Sequence, residues 1–316
     1  IPPPPPPHQA YNLSLKRKNR FWGRSVWQLH VLILLPVLFV FIFNYIPMGG
    51  VLIAFKDYSV RRGILGSPWA GFKYFIQFFN IPILGMALKN TIVLSFLSLV
   101  VGFPVPIILA LAFNEVSNLS LRKTLQTLTF APFFISTVVV VSILFQVFGY
   151  RYGLVNSVIT SFGGERIDWQ GMTGFFRPAY ILSGIWQGAG YGSILYLAAL
   201  SGVDTDLYDA AIIDGASKLQ KVWYIDIPTI LPTIVITLIL STGGILGVGF
   251  EKVYLMQNPL NYTISEVIST YVYKVGVQQA QFSFSTAVGL FNSTINCVIL
   301  VLVNALARKV NETSLF

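Results

Sequence analysis

The stretch Leu207-Tyr208-Asp209-Ala210-Ala211-Ile212-Ile213-Asp214-Gly215-Ala216, followed by Ile225-Asp226-Ile227-Pro228, decides how this chain is built. It is short, polar and helix-forming. It lies between two apolar runs, 178–203 and 227–250, neither of which holds an Asp, Glu, Lys or Arg. A segment between two such runs is a loop at a membrane surface. Its set spacing of small residues, carboxylates and one glycine suits docking onto another protein.

Working outward, the same absence of charge recurs over 25–55, 90–114, 124–150 and 275–307. Each of the six windows exceeds the roughly 20 residues a helix needs to cross about 30 Å of hydrocarbon. In lipid the backbone polar groups must be satisfied within the segment, which selects helices. Barrel strands need only about 10 alternating residues, so the windows are too long for a β-barrel. Of the 316 residues, 54% are hydrophobic and 10% charged, against about 25% charged in a soluble domain. The sequence predicts an all-α integral membrane protein with six transmembrane helices.

The formal charge of +9 is no nucleic-acid signal. Much of it lies in Lys16-Arg17-Lys18, Arg20 and Arg24, before the first span, where it reads as a cytoplasmic anchor at the membrane surface. The other basic residues are scattered, with no base-stacking aromatics beside them. Cys297 is the one cysteine, and His8 and His30 are isolated, so neither an internal disulfide nor a metal site is expected. The first apolar run is long enough to span and lacks a small-residue cleavage site, so no cleavable signal peptide is expected. The run Pro2 to Pro7 favours polyproline II and carries no functional weight.

The expected organisation is a cytoplasmic tail at 1–24, a six-helix membrane domain at 25–310 and a short tail at 311–316. Long outer loops fall at 56–88, 150–177 and 250–284, the last partly helical, and the loop quoted first occupies 202–227. Span two, about 90–113, should be broken or kinked by Pro104 and Pro106. Span three is expected as a helix at about 128–148. Span four, about 179–200, carries Gly184, Gly188, Gly190 and Gly192, which permit close helix contact. Spans five and six fall at about 228–248 and 285–306. With the N-terminus inside, 11 of the 21 Lys and Arg are cytoplasmic. They are the denser set, because the outer loops are longer. Both termini and the 202–227 loop are therefore placed in the cytoplasm.

Within that loop Asp204 or Thr205 can cap a helix start, and Asp206 suits the positive end of its dipole. Leu207, Ala210, Ala211 and Asp214 follow helical spacing, with the alanines keeping one face thin. Gly215 can adopt positive φ and end the helix. A second short helix at about 217–224 turns back toward the membrane, and Pro228 suits the first turn of span five. The expected result is a helix–turn–helix on the cytoplasmic face.

These residues resemble the "EAA" loop of ABC importer permeases: Glu-Ala-Ala, three residues, Gly, nine residues, Ile, one residue, Leu-Pro. Here Asp209-Ala210-Ala211, Gly215, Ile225 and Ile227-Pro228 keep every spacing, with Asp in place of Glu and Ile in place of Leu. Tyr45-Ile46-Pro47-Met48-Gly49-Gly50-Val51, Ser67-Pro68-Trp69-Ala70-Gly71-Phe72, Asn258-Pro259-Leu260 and Thr270-Tyr271-Val272-Tyr273 are similar to permeases for complex oligosaccharides of the lipoprotein/polysaccharide type. The resemblance covers nearly the whole chain. It implies the type I, maltose-type importer fold in a bacterial inner membrane. It also implies a heterodimer with a second permease, two ATP-binding subunits and an extracytoplasmic solute-binding protein. Asp209, Ala210, Ala211, Asp214, Gly215 and Pro228 would then couple to the ATPase. The chain has no Gly-x-x-x-x-Gly-Lys-Ser/Thr phosphate loop, so no cofactor is expected on it, and ATP and Mg²⁺ would sit in the partner subunits. The resemblance does not name the sugar: alginate-like uronate chains and neutral plant fragments both fit.

A sugar path needs aromatic faces and amide or hydroxyl groups. Candidates are Trp186, Gln187, Tyr191 and Tyr196 on span four, and Asn292 and Asn296, four apart on one face of span six. Polar groups in membrane helices face a bundle interior or a cavity, so a sugar path and plain helix–helix contacts both stay open for them. An ion-coupled secondary transporter is the alternative function. It fits less well, because the windows lack charge and show no inverted repeat.

Overall fold

The computed structural model describes residues 26–311. The tail at 1–24, with its proline run and basic cluster, and residues 312–316 of the expected C-terminal tail lie outside them. The chain divides into two units, Ile1–Leu52 and Ile53–Phe316.

In the first unit α1 covers Val26–Val40 and continues through a π-turn at Phe41–Tyr45. The uninterrupted apolar stretch Trp27–Phe55 has a mean hydropathy of 2.4 over its best window. Pro36 stands inside α1. The irregularity comes at the π-turn just ahead of Pro47, where the Ile46 N–H reaches back five residues to the Phe41 carbonyl. Proline has no N–H and crowds the carbonyl four residues back, and a widened turn relieves both problems.

The second unit is helical. Among its described residues the β-type pairing is one isolated bridge, Lys56 to Trp69. Helices α2 (Pro82–Gly102) and α3 (Pro104–Asn114) form a 33-residue apolar rod, Pro82–Asn114. It starts earlier than the charge-free window, because Lys89 is taken into its first turns. The expected break at Pro104 and Pro106 is a bend at Phe103. Helices α4 (Leu119–Phe130) and α5 (Thr137–Val147) replace the one helix expected at about 128–148. They meet at 101° across a short 3-10 turn, Ala131–Phe134. The cause is local. Pro132 disrupts the ladder, Ile135 and Ser136 are extended, and the Ser136 hydroxyl accepts from the Val139 N–H at 3.4 Å to start α5 afresh.

Helix α6 (Thr173–Leu200) is the central element, packed on α2, α3, α4 and α5. Its 28 residues reach about 42 Å, enough to cross a bilayer, although its Gly- and aromatic-rich composition is less apolar than the other rods. Its neighbours are protein, which is why it tolerates that composition. A Cβ on Gly190 would lie 2.0 Å from the Thr129 carbonyl oxygen, so α6 and α4 cross nearly backbone to backbone. Helix α7 (Thr205–Ile213) follows, then α8, a 26-residue rod from Lys218 to Gly243. The expected separate helix at about 217–224 is the leading end of α8, joined to it through a π-turn at Val222–Asp226. Pro228 does fall in the first turn of the regular α stretch Ile227–Gly243. The π-turn ahead of it absorbs the missing N–H, so no break is needed. After α8 a glycine-rich loop leads to α9 (Phe250–Met256) and further short helices, then to the final rod α10 (Phe282–Asn311).

Against the six expected spans, among the described residues four rods are long and apolar enough alone to cross a membrane, and the bent α4–α5 pair is a fifth candidate. Helix α6 is long enough to cross but is not among these apolar rods. Three buried clusters hold the second unit together. One joins α2, α5, α6 and α9 through Leu94, Val141, Phe176 and Val253. Another gathers Phe78, Leu84, Ile268 and Phe284. The third gathers Ala110, Tyr196, Leu200, Val203 and Ile230 beneath α7.

Candidate functional site

The 202–227 loop is built from standard helix-end chemistry. The Asp204 carboxylate accepts from the Asp206 N–H at 3.1 Å and starts α7. Gly215 ends it with φ of +73°, where a β-carbon would be strained. The Ala216 N–H donates to the Ala211 carbonyl at 2.8 Å, and the Gly215 N–H to Ile212 at 3.1 Å, the paired bonds of a Schellman ending. Ser217 and Gln220 then form a reciprocal capping box that starts α8.

One face of this loop is seated and the other is bare. Val203 is buried, and Tyr208 and Ile225 pack against the third cluster. The Tyr208 hydroxyl donates to Asp226 Oδ1 and receives a 3.4 Å bond from the Asn114 amide of α3. Asp226 is fully buried, and its second oxygen has no partner. Burial, then the hydrogen bond to Asp226, pushes the Tyr208 hydroxyl up to about 12, so it holds its proton. On the bare face, Ile213 is 85% and Leu219 78% exposed, with Leu207 and Ile212 beside them. Asp209, Ala210, Asp214, Gly215 and Pro228 are exposed and Ala211 is half-buried. Uncovered aliphatic side chains clustered beside carboxylates make a surface of the kind that receives a partner.

A cleft of about 770 Å³ opens among α2, α6, α8 and the loop 244–249. Its wall carries hydroxyls and rings: Ser95 and Ser98 from α2, Tyr180, Tyr191 and Tyr196 from α6, Thr237 and Ser241 from α8. Tyr196 shares a 2.8 Å hydrogen bond with Thr237, clipping α6 to α8. The Tyr191 ring, on the cleft wall, stacks on Phe133 with centroids 3.8 Å apart. Gln187 lines an adjoining cleft of about 340 Å³ and donates to the Ile135 carbonyl at 2.8 Å, across the break between α4 and α5. Trp186, Asn292 and Asn296 line neither cleft. Trp186 is half-exposed on α6. Asn296 Oδ1 accepts from the Leu246 N–H at 3.0 Å and holds the loop after α8. Asn292 keeps a buried, unpartnered Oδ1.

Sequence reasoning missed Asp226, Tyr208, Ser95, Ser98, Tyr180 and Lys252. Asp226 carried a usable signal, since it is a lone charge flanked by Ile225 and Ile227 at the edge of a charge-free run, whereas Lys252 follows Glu251 and reads as part of a charged pair. The serines carried none, because hydroxyls recur throughout the spans.

Comparison with known proteins settles the class. The family described as "Binding-protein-dependent transport system inner membrane component" matches residues 102–312. The chain belongs to this family. The permease is also 46% identical over 313 residues to the polygalacturonan/rhamnogalacturonan transport system permease protein YteP of Bacillus subtilis (strain 168), covering 98% of each chain. Protein LplB of the same organism is 43% identical over 293 residues, covering 93% of this chain and 92% of that one. A crystal structure of a bacterial ABC transporter involved in the import of the acidic polysaccharide alginate has a chain that superimposes with a TM-score of 0.84. Its identity is 39%, and the match covers 91% of this permease and 97% of that chain. A structure of the bacterial alginate ABC transporter in complex with an alginate pentasaccharide-bound periplasmic protein matches with a TM-score of 0.85 and 38% identity, covering 94% and 100%. The permease is thus an inner-membrane transport component of the sugar-importing ABC class rather than an enzyme, and the ion-coupled alternative is set aside.

Proposed function

We propose that this permease forms half of the path of an ATP-driven importer for acidic oligosaccharides, working as a heterodimer with a second permease. Two cytoplasmic ATPase subunits supply ATP and Mg²⁺, and an extracytoplasmic binding protein delivers the sugar. Both termini and the 202–227 loop face the cytoplasm, in keeping with the denser basic residues there. The acidic substrate class follows the relatives, which are named for polygalacturonan and alginate.

The observation that carries this reading is the 202–227 loop. It presents a bare aliphatic and carboxylate face outward while its inner face is tied through Tyr208 and Asp226 to α8. Asp209, Ala210, Ala211, Asp214 and Gly215 form the ATPase contact, and Pro228 begins the regular helix behind it. Tyr191 and Tyr196 line the cleft that would take the sugar, and Gln187 lines the cleft beside it. Trp186, Asn292 and Asn296 support the path from outside the cleft. The test replaces Asp209 with Lys and, separately, Gly215 with Asp in the assembled complex, with tetragalacturonate as substrate. Both variants should insert and fold yet lose transport. Full transport in both would remove the coupling role.

A further inference from the structure

We propose that Lys252, with the hydroxyls of Ser95 and Ser98, forms a carboxylate-binding subsite in the sugar path. This rests on the acidic-oligosaccharide reading above and names the groups that would select the acid.

Lys252 lies on α9 and is only 8% exposed. Its Nζ donates to the Tyr180 carbonyl at 3.0 Å and sits over the Tyr180 ring, 5.0 Å from the centroid. An ammonium has three protons to give, and that carbonyl takes one. Among the described residues no carboxylate pairs with it. The ion pairs there are Lys73 with Asp57 and Lys274 with Glu266. Lys274 shows the contrast: it is also largely buried, and Glu266 neutralises it at 2.5 Å. A buried cation without a counter-charge is costly to keep, so a position that keeps one is suited to receive an anion.

The surroundings are shaped for that role. Gly184 of α6 faces the ammonium, and a Cβ there would stand 3.3 Å from Nζ. Lys252 lines the smaller cleft together with Ser98 and Gln187, and that cleft shares Ser98 and Tyr180 with the larger one. The hydroxyl oxygens of Ser95 and Ser98 are buried and have no hydrogen-bond partner. One uncompensated cation and two idle hydroxyls thus line adjoining clefts, with Ser98 and Tyr180 on the wall of both. A uronate carboxylate accepts from all three kinds of donor. A neutral sugar would engage the serines and leave the charge unmet.

The test uses proteoliposomes holding the full importer with an unaltered binding protein, so its selectivity cancels between variants. Uptake of tetragalacturonate is compared with uptake of the neutral galactotetraose. Lys252→Gln should lower tetragalacturonate uptake at least tenfold, and Lys252→Arg should restore most of it. Ser98→Ala removes no hydrogen bond of the resting protein and should lower that uptake about threefold to tenfold. It therefore decides the matter if Lys252→Gln fails to assemble. Tetragalacturonate uptake undiminished in Lys252→Gln, or in Ser98→Ala where the Gln variant does not assemble, overturns the subsite and leaves the acidic importer standing. A wild type that carries galactotetraose but not tetragalacturonate overturns the acidic reading, and the subsite with it.

Discussion

Removing the Tyr208 hydroxyl should loosen the docking loop far more than the loss of one surface hydrogen bond would. Asp226 is 0% exposed, and its Oδ2 already lacks a partner. Tyr208→Phe keeps the ring against the third cluster but strips Oδ1 of its donor, leaving a buried carboxylate with no hydrogen bond in the loop. Orphaning a buried charged acceptor costs about 3 kcal/mol. That is roughly a hundredfold in the opening equilibrium of α7. The readout is amide hydrogen exchange of α7 in the assembled complex, where protection of the 208–213 amides should fall by about that factor. Under the proposed coupling role, transport per ATP should fall with it. Adding Asp226→Leu to Tyr208→Phe removes the stranded charge and should recover most of the protection. Unchanged protection in the single variant, or a double variant no better than the single, would refute the reasoning.

Three further outcomes are expected. Because burial and Asp226 raise the Tyr208 hydroxyl to about 12 from an ordinary value near 10, the folded state favours the neutral phenol. Its contribution is fully present below about pH 10 and is lost as pH rises toward 12, so α7 protection should be flat from about pH 6 to 9 once intrinsic exchange is corrected. Gly190→Ala places a methyl 2.0 Å from the Thr129 carbonyl and should cost about 3 kcal/mol or more at the α4–α6 crossing, seen as a sharply lower yield of folded protein in detergent. Asn156 is 1% exposed, its amide bonds the Gly149, Tyr150 and Ile167 carbonyls, and its oxygen accepts from Ile167 and Trp169. Asn156→Ala should therefore open the 149–169 loop to proteolysis about tenfold faster, with the rest of the protein intact.

The spans were legible wherever lipid alone writes the sequence. The rods Trp27–Phe55, Pro82–Asn114 and Phe282–Asn311 show through the charge-free windows 25–55, 90–114 and 275–307, because hydrocarbon excludes charge from their outer faces. The α4–α5 pair was read as one span at about 128–148 because Pro132 and Ser136 sit in an apolar run, and hydropathy cannot see a 101° bend. The loop ending at Gly215 was legible because helix caps are local: Asp204 and Gly215 act on their own neighbours. The cleft was half legible. Tyr191 and Tyr196 reach it, whereas Asn292 and Asn296 share a helix face that turns elsewhere. Lys252 was hidden because its loop was assigned to the outer surface, and only the packing of α9 onto α6 carries it inward. Asp226 was quoted within the motif but not weighed, since its partner, Tyr208, stands 18 residues away.

Helix α8 begins at Lys218 beside the bare face of the loop and ends at Gly243, next to the cleft wall at Ser241. Its 26 residues make a strut about 39 Å long with no hinge loop to absorb a stroke. Its π-turn at Val222–Asp226 is a seam rather than a joint, letting Pro228 sit in the rod without cutting it. A displacement applied at the Lys218 end therefore arrives at the Gly243 end, beside the cleft, as a tilt or a piston movement. The gearing of such a device is fixed by its length. Lengthening or shortening the strut by one residue would rotate Thr237 and Ser241 by about 100° relative to the loop at its other end.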